Sequence, residues 1–240
     1  MSAVSLATPG HLSWFHSFSL PGHQPIEGVR PLPILQAEAD IILPQDLSNQ
    51  SVLDVGAWDG YFSFEAEKRG ARDVLATDHF CWSGEGWGTK DGFDYVHGVL
   101  NSTVRTHDVD VPNLDPKVLG QFDLVLLLGV LYHVKDPYRC LEAAAAMCSD
   151  HIVIETVTAM AHEPTPVMRL FRPKELADDP TNFWAPNIPA LEVMLESMGF
   201  SRIEAILSPV SARPKRGVPD FVQRALGDDA SRRMIIHAWR

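Results

Sequence analysis

The sequence predicts an α/β fold: a doubly wound, mostly parallel sheet of seven strands with helices on both faces. Three observations predict it. Short apolar runs recur along the chain, as expected of strands buried on both faces. Segments with helical spacing separate them. The first run ends in a glycine-containing turn, Asp54-Val-Gly-Ala-Trp-Asp-Gly60, that opens a helix.

Residues 1–50 precede the first run and carry few regular signals. Pro21, Pro25, Pro31 and Pro33 interrupt any long helix. Trp14, Phe15, Phe18 and Leu20 are apolar anchors, so this segment reads as a cover over the main domain, with a short helix at 35–43. The domain itself spans 51–240. Strand one is 51–55, and a helix over 59–69 stops at Gly70. Strand two is 74–77, closed by Asp78. A helix over 91–101 and a weaker strand over 103–107 follow. Phe122 to Leu128 is the most apolar strand. An Asp-Pro start gives a helix over 136–147. Strand five is 151–157, a helix covers 188–198, and the last strands are 201–207 and 233–239. Residues 208–231 hold three prolines and the basic Arg213, Lys215 and Arg216. They read as a loop with a short helix near 219–226.

Composition narrows the partners. Thirty-one acidic against twenty basic residues give a net charge of −11. Nucleic-acid binders draw much of their affinity from phosphate neutralisation, so this balance disfavours, without excluding, a tRNA partner. Cys81, Cys140 and Cys148 form no C-x-x-C pair and no zinc spacing. Cys140 and Cys148 read as small core residues on a helix. The histidines show no H-x-x-x-H pair, so no metal is expected. No run of 18 apolar residues and no secretion signal are read, which points to the cytoplasm.

The turn after strand one carries the cofactor argument. A dinucleotide fingerprint places glycine two residues after the first, where the backbone approaches a pyrophosphate. Here Trp58 stands there, and an indole obstructs a diphosphate. S-adenosylmethionine carries no phosphate. Asp54 suits its ammonium group, directly or through water, and free backbone amides near Gly56–Trp58 suit its carboxylate. Gly56 permits the tight turn and Gly60 close helix packing. Asp78 suits the ribose hydroxyls of any nucleoside. Asp108 and Val109 follow strand three and suit adenine. Ala57, His79 and Leu128 complete the expected cofactor contacts.

At Phe122-Asp-Leu-Val-Leu-Leu-Leu-Gly-Val-Leu-Tyr-His133 the sequence resembles class I methyltransferases of Rossmann-like fold. It is most similar to the tRNA wobble-uridine carboxymethyltransferase family and its shorter relatives. Their pattern runs F-D-x-V-x-x-x-G-V-L-Y-H-x-x-x-P. Ile154-Glu-Thr156, Phe183-Trp-Ala-Pro-Asn187, Ala190-Leu191, Met194-Leu195 and Gly199-Phe200 match in the same order. The resemblance implies that Tyr132 faces the cofactor or substrate and that Arg233 helps grip the extra carboxylate of carboxy-S-adenosylmethionine. A lysine completes that grip in the tRNA enzymes, and His16 stands near its place. Their Trp- and Lys-rich stretch is replaced by Glu27-Gly-Val-Arg-Pro-Leu-Pro33. These departures favour an ordinary methyl donor and a small-molecule acceptor.

The transfer itself needs positioning, plus a general base where the acceptor is a hydroxyl. His133, just past strand four, has an ordinary pKa of about 6.5 and suits that role. Tyr132 is the second catalytic candidate. His16, Trp184 and Arg233 are the substrate-side candidates, and Trp82 and Trp87 offer stacking surfaces in a glycine-rich loop. Asn187 reads as a helix N-cap. Alternatives are a tRNA modifier using the carboxylated cofactor, a dinucleotide oxidoreductase, and a non-catalytic cofactor-binding module.

Overall fold

A computed structural model describes residues 12–209 and 231–240. Seven strands form one sheet: β1 (Ser51–Val55), β2 (Asp73–Asp78), β3 (Arg105–Asp108), β4 (Phe122–Leu128), β5 (Cys148–Thr158), β8 (Arg202–Leu207) and β9 (Arg232–Trp239). Their order is β3-β2-β1-β4-β5-β9-β8. All neighbours pair in parallel except β9, which runs antiparallel to β5 and β8. This is the mostly parallel, seven-stranded sheet expected from the sequence. A separate hairpin, β6 (Met168–Leu170) with β7 (Trp184–Pro186), was not foreseen. At three residues each, its strands are too short to show alternation.

The apolar runs divide between two faces. Val52, Ala76, Leu124, Leu126 and Val153 pack with α1 (Leu32–Ile42), α2 (Tyr61–Lys68) and α3 (Asp91–Leu100). Leu53, Val55, Leu75, Val125, Leu127 and Ile152 pack on the other face with α5 (Pro137–Ala146) and α6 (Ile188–Ser197). The period-two alternation of these strand residues is why central strands read as unbroken apolar runs. A four-residue helix, α4 (Pro116–Leu119), precedes β4. At the edges the signal fails: every residue of β3 is exposed, which explains its weakness in the sequence.

Two boundaries need correction. The first helix starts at Leu32, before the expected 35, with Pro31 as N-cap and Pro33 inside the first turn. Proline lacks only an N–H that this turn does not use, so it does not break the helix there. Cys148 opens β5 instead of ending a helix, and all three cysteines are buried and free. Strand five begins three residues earlier than expected, because polar Ser149 and Asp150 extend it beyond the apolar run. Asn187 caps α6, its side chain accepting from the Ala190 N–H at 2.9 Å. The helix expected near 219–226 and the basic cluster at 213–216 lie outside the described residues.

Residues 12–30 lie on the domain rather than apart from it. Phe18 pairs with Ile26 and His16 with Arg30. Phe18, Leu20 and Ile26 are buried in the α1–α3 core. One carboxylate oxygen of Asp59, Oδ2, accepts both the Phe15 and His16 N–H groups, at 2.8 and 3.0 Å.

Candidate active site

A cavity of about 1000 Å³ opens at the carboxyl ends of β1, β2 and β4, where the strand order reverses about β1. This is where open α/β sheets bind ligands. The turn after β1 forms its floor. Gly56 takes φ +76°, and a Cβ there would stand 2.4 Å from Val130 Cγ2. Only glycine meets both demands.

The backbone amides of this turn are engaged, which corrects the expectation that they are free. Gly56 and Ala57 N–H donate to the Thr77 carbonyl at 2.8 and 3.0 Å. Trp58 N–H donates to Asp78 Oδ2 at 3.0 Å. The turn leans on the end of β2, and that strand's last two residues satisfy it. Asp78 also accepts from the Cys81 N–H at 2.9 Å through Oδ1. Its buried carboxylate lines the cavity, and burial raises its pKa. Each oxygen accepts one amide and keeps capacity for a ligand hydroxyl.

Asp54 lies behind the turn. Its carboxylate accepts from Ser63 Oγ at 2.6 Å, and burial pushes its pKa up to about 6. Gly56, Trp58, Asp78, His79, Val109 and Leu128 line the cavity; Asp54, Ala57, Gly60 and Asp108 are not among its lining residues. Asp108 instead pairs with His79, Oδ1 to Nδ1 at 2.8 Å, a hydrogen bond that raises the His79 pKa.

Trp58 holds a left-handed backbone, φ +46°. Its indole stacks on Phe15 of the N-terminal segment (centroids 4.6 Å, 9° apart) and on Trp87 (5.8 Å, 28°). Trp87 also meets His133 edge-on at 5.0 Å. Trp82 is buried, its Nε1–H donating to the Trp58 carbonyl.

The β4–α5 connection brings the catalytic candidates together. Tyr132 is buried, and its hydroxyl accepts from Arg233 Nη1 at 2.9 Å. Arg233, on β9, grips Glu155, on β5, through two 2.5 Å contacts. The guanidinium centre lies 5.0 Å from the Tyr132 ring centroid. Burial lowers the His133 pKa to about 4, so the ring is neutral at pH 7. His133 Nδ1 lies 3.0 Å from Thr181 Oγ1 and 3.2 Å from its carbonyl.

His16 lines the cavity too. Burial first, then the Arg30 charge, lower its pKa to about 3. Arg30 pairs with buried Glu38, which also accepts from Ser208 Oγ at 2.6 Å. Trp184 is not among the lining residues; its Nε1–H donates to the Lys135 carbonyl at 3.3 Å from β7. The sequence reading gave no role to Glu155, Arg30, Glu38 or Asp59. Glu38 left a signal: it shares one face of α1 with buried Leu35, Ala39 and Ile42, where a charge needs a partner.

The sheet order, the reversed strand and the turn define the class I methyltransferase architecture. The chain belongs to the methyltransferase-domain family, whose model matches residues 33–205. Among curated proteins, the tRNA U34 carboxymethyltransferase of Helicobacter pylori (strain Shi470) is 28% identical over 174 residues, 70% of this chain and 62% of that protein. The enzyme of the same name from Dichelobacter nodosus (strain VCS1703A) is 30% identical over 208 residues, 81% and 62% respectively. The matched stretch thus spans less than two thirds of either relative. Among solved structures, the N-terminal domain of EvdMO1 in the presence of SAH and D-fucose has TM-score 0.66 at 20% identity, covering 95% of this chain and 91% of that one. A Burkholderia thailandensis 1,6-didemethyltoxoflavin-N1-methyltransferase has TM-score 0.55 at 18% identity, with 87% and 77% covered.

Proposed function

We propose that this protein is an S-adenosylmethionine-dependent methyltransferase acting on an oxygen or nitrogen of a small-molecule acceptor. The observation that carries this reading is one continuous cavity. It runs from the Asp78 carboxylate to Tyr132, His133 and Arg233. Its volume of about 1000 Å³ is at the top of the range for small-molecule sites, enough for a nucleoside cofactor and a small acceptor together.

The residues present fit the cofactor. Asp78 is held by two amides with oxygens left for ribose hydroxyls, and His79, Val109 and Leu128 flank the adenine side. Trp58 fills the place a pyrophosphate needs. The cofactor supplies a methyl group on a sulfonium, a good leaving group, so the protein's work is orientation and water exclusion. Phe15, His16 and Arg30 of the cover segment line the cavity and exclude water. Tyr132, held by Arg233, fixes the wall beside the reacting centre. Neutral His133 accepts a proton there.

A second reading, carboxymethyl transfer to tRNA, has the names of the curated relatives and the Tyr132–Arg233 contact in its favour. Against it stand the net charge of −11 and the bond of Arg233 to Glu155, which already balances its charge. Parallel titrations with S-adenosylmethionine and its carboxylated form test the choice. Tighter binding of the unmodified cofactor supports methyl transfer, and preference for the carboxylated form overturns it.

A further inference from the structure

Among the described residues, the His133 ring is hydrogen-bonded through Nδ1 alone. Its Nδ1 faces two oxygens of Thr181, the carbonyl at 3.2 Å and the hydroxyl at 3.0 Å. A carbonyl only accepts. The hydroxyl's own proton is committed elsewhere: Thr181 Oγ1 donates to Asp179 Oδ1 at 2.6 Å. The same Oδ1 accepts the Thr181 N–H at 2.8 Å, which fixes the short loop between them. Both oxygens therefore ask for a proton on Nδ1. A neutral imidazole carries one proton, so Nε2 is left with its lone pair.

We propose that Thr181 and Asp179 are positioning residues that set His133 in the Nδ1–H tautomer and support it as it takes a proton on Nε2. This rests on the methyl-transfer reading above and deepens it. With an acceptor hydroxyl the step balances. The hydroxyl proton goes to His133 Nε2, the freed electron pair forms the O–CH3 bond, and the pair of the broken S–CH3 bond stays on the departing thioether sulfur. The resulting imidazolium already directs its other N–H at Thr181. Asp179 lies one hydrogen bond further and attracts the new charge. Third groups that orient a base in this way recur wherever a histidine must present one chosen nitrogen.

The tautomer is measurable without an acceptor. Long-range ¹⁵N–¹H correlation spectra of uniformly ¹⁵N-labelled full-length protein at neutral pH report which ring nitrogen is protonated, and His133→Gln assigns the signal. The expected result is a single Nδ1–H form in the wild type. Thr181→Val leaves only the carbonyl at 3.2 Å facing Nδ1, so an Nε2–H population appears beside the Nδ1–H form, and Thr181→Ser, which restores the hydroxyl, removes it. Asp179→Asn keeps the tautomer and lowers the pH at which His133 titrates. An Nε2–H form in the wild type, or a Thr181→Val spectrum identical to it, overturns the proposal. S-adenosylhomocysteine titrated into the same samples separates the two readings. No binding overturns the cofactor assignment, while the spectra still decide the relay.

Discussion

Removing the charge of Asp59 while keeping its oxygen is expected to stabilise this protein above neutral pH. Asp59 is 1% exposed, and one of its oxygens accepts the Phe15 and His16 amides. Burial raises its pKa from 3.8 to about 6, even with the opposing help of those two bonds. Two pKa units correspond to about 3 kcal/mol against the charged form. That penalty is present above the folded pKa and fades as pH falls from about 6 to 3.8. Asp59→Asn removes it and keeps a neutral acceptor for the two amides, whose preference for the charged oxygen is already contained in the shift. The expected gain is up to about 3 kcal/mol at pH 8 and vanishes near pH 4. Asp59→Ala differs, because it leaves two buried N–H groups without an acceptor, at about 1–3 kcal/mol each. It is expected to release Phe15 and His16 from the domain. Urea unfolding at both pH values measures the energies, and hydrogen exchange at the Phe15 and His16 amides reads the release. The reasoning fails if Asp59→Asn does not stabilise the protein at pH 8, or if those amides exchange no faster in Asp59→Ala.

Three further outcomes are expected. Gly56→Ala puts a methyl group 2.4 Å from Val130 Cγ2 at φ +76°, and destabilises by about 2–4 kcal/mol; adding Val130→Ala recovers part of this in thermal unfolding. His16 has its folded pKa depressed to about 3, so the unfolded state binds the extra proton below about pH 6.5 and stability falls with acid. His16→Phe therefore gains on the wild type by about 1.4 kcal/mol per pH unit between about pH 6 and 4, and a pH-independent difference contradicts the shift. His133→Asn lowers kcat for a hydroxyl acceptor by about 10²–10⁴ and leaves the S-adenosylhomocysteine Kd unchanged; an equal loss of binding assigns His133 to the cofactor instead.

The central strands and their helices were legible because burial on both faces leaves apolar runs that polar turns punctuate. The positions of Asp78 and of the Tyr132–His133 pair, at and just past the ends of β2 and β4, were legible because those ends follow from the runs. Three kinds of feature were hidden. Edge strand β3 carries no apolar signal. The amides after Gly56 are claimed by Thr77 and Asp78, a tertiary contact between parallel neighbours that spacing does not reveal. Buried ion pairs such as Arg233–Glu155 join residues 78 apart in sequence, and only the antiparallel pairing of β5 with β9 brings them together. Asp179 and Thr181 sit in an irregular loop, where position is set by local hydrogen bonds rather than periodicity.

The most direct test of the account is isothermal titration of the purified protein with S-adenosylmethionine, beside Asp78→Ala and with NAD as control. The account predicts micromolar binding of S-adenosylmethionine, a loss of at least about tenfold in Asp78→Ala from two missing charge-assisted hydrogen bonds, and no heat with NAD. Binding of NAD, or no binding of S-adenosylmethionine in either its plain or carboxylated form, would contradict it.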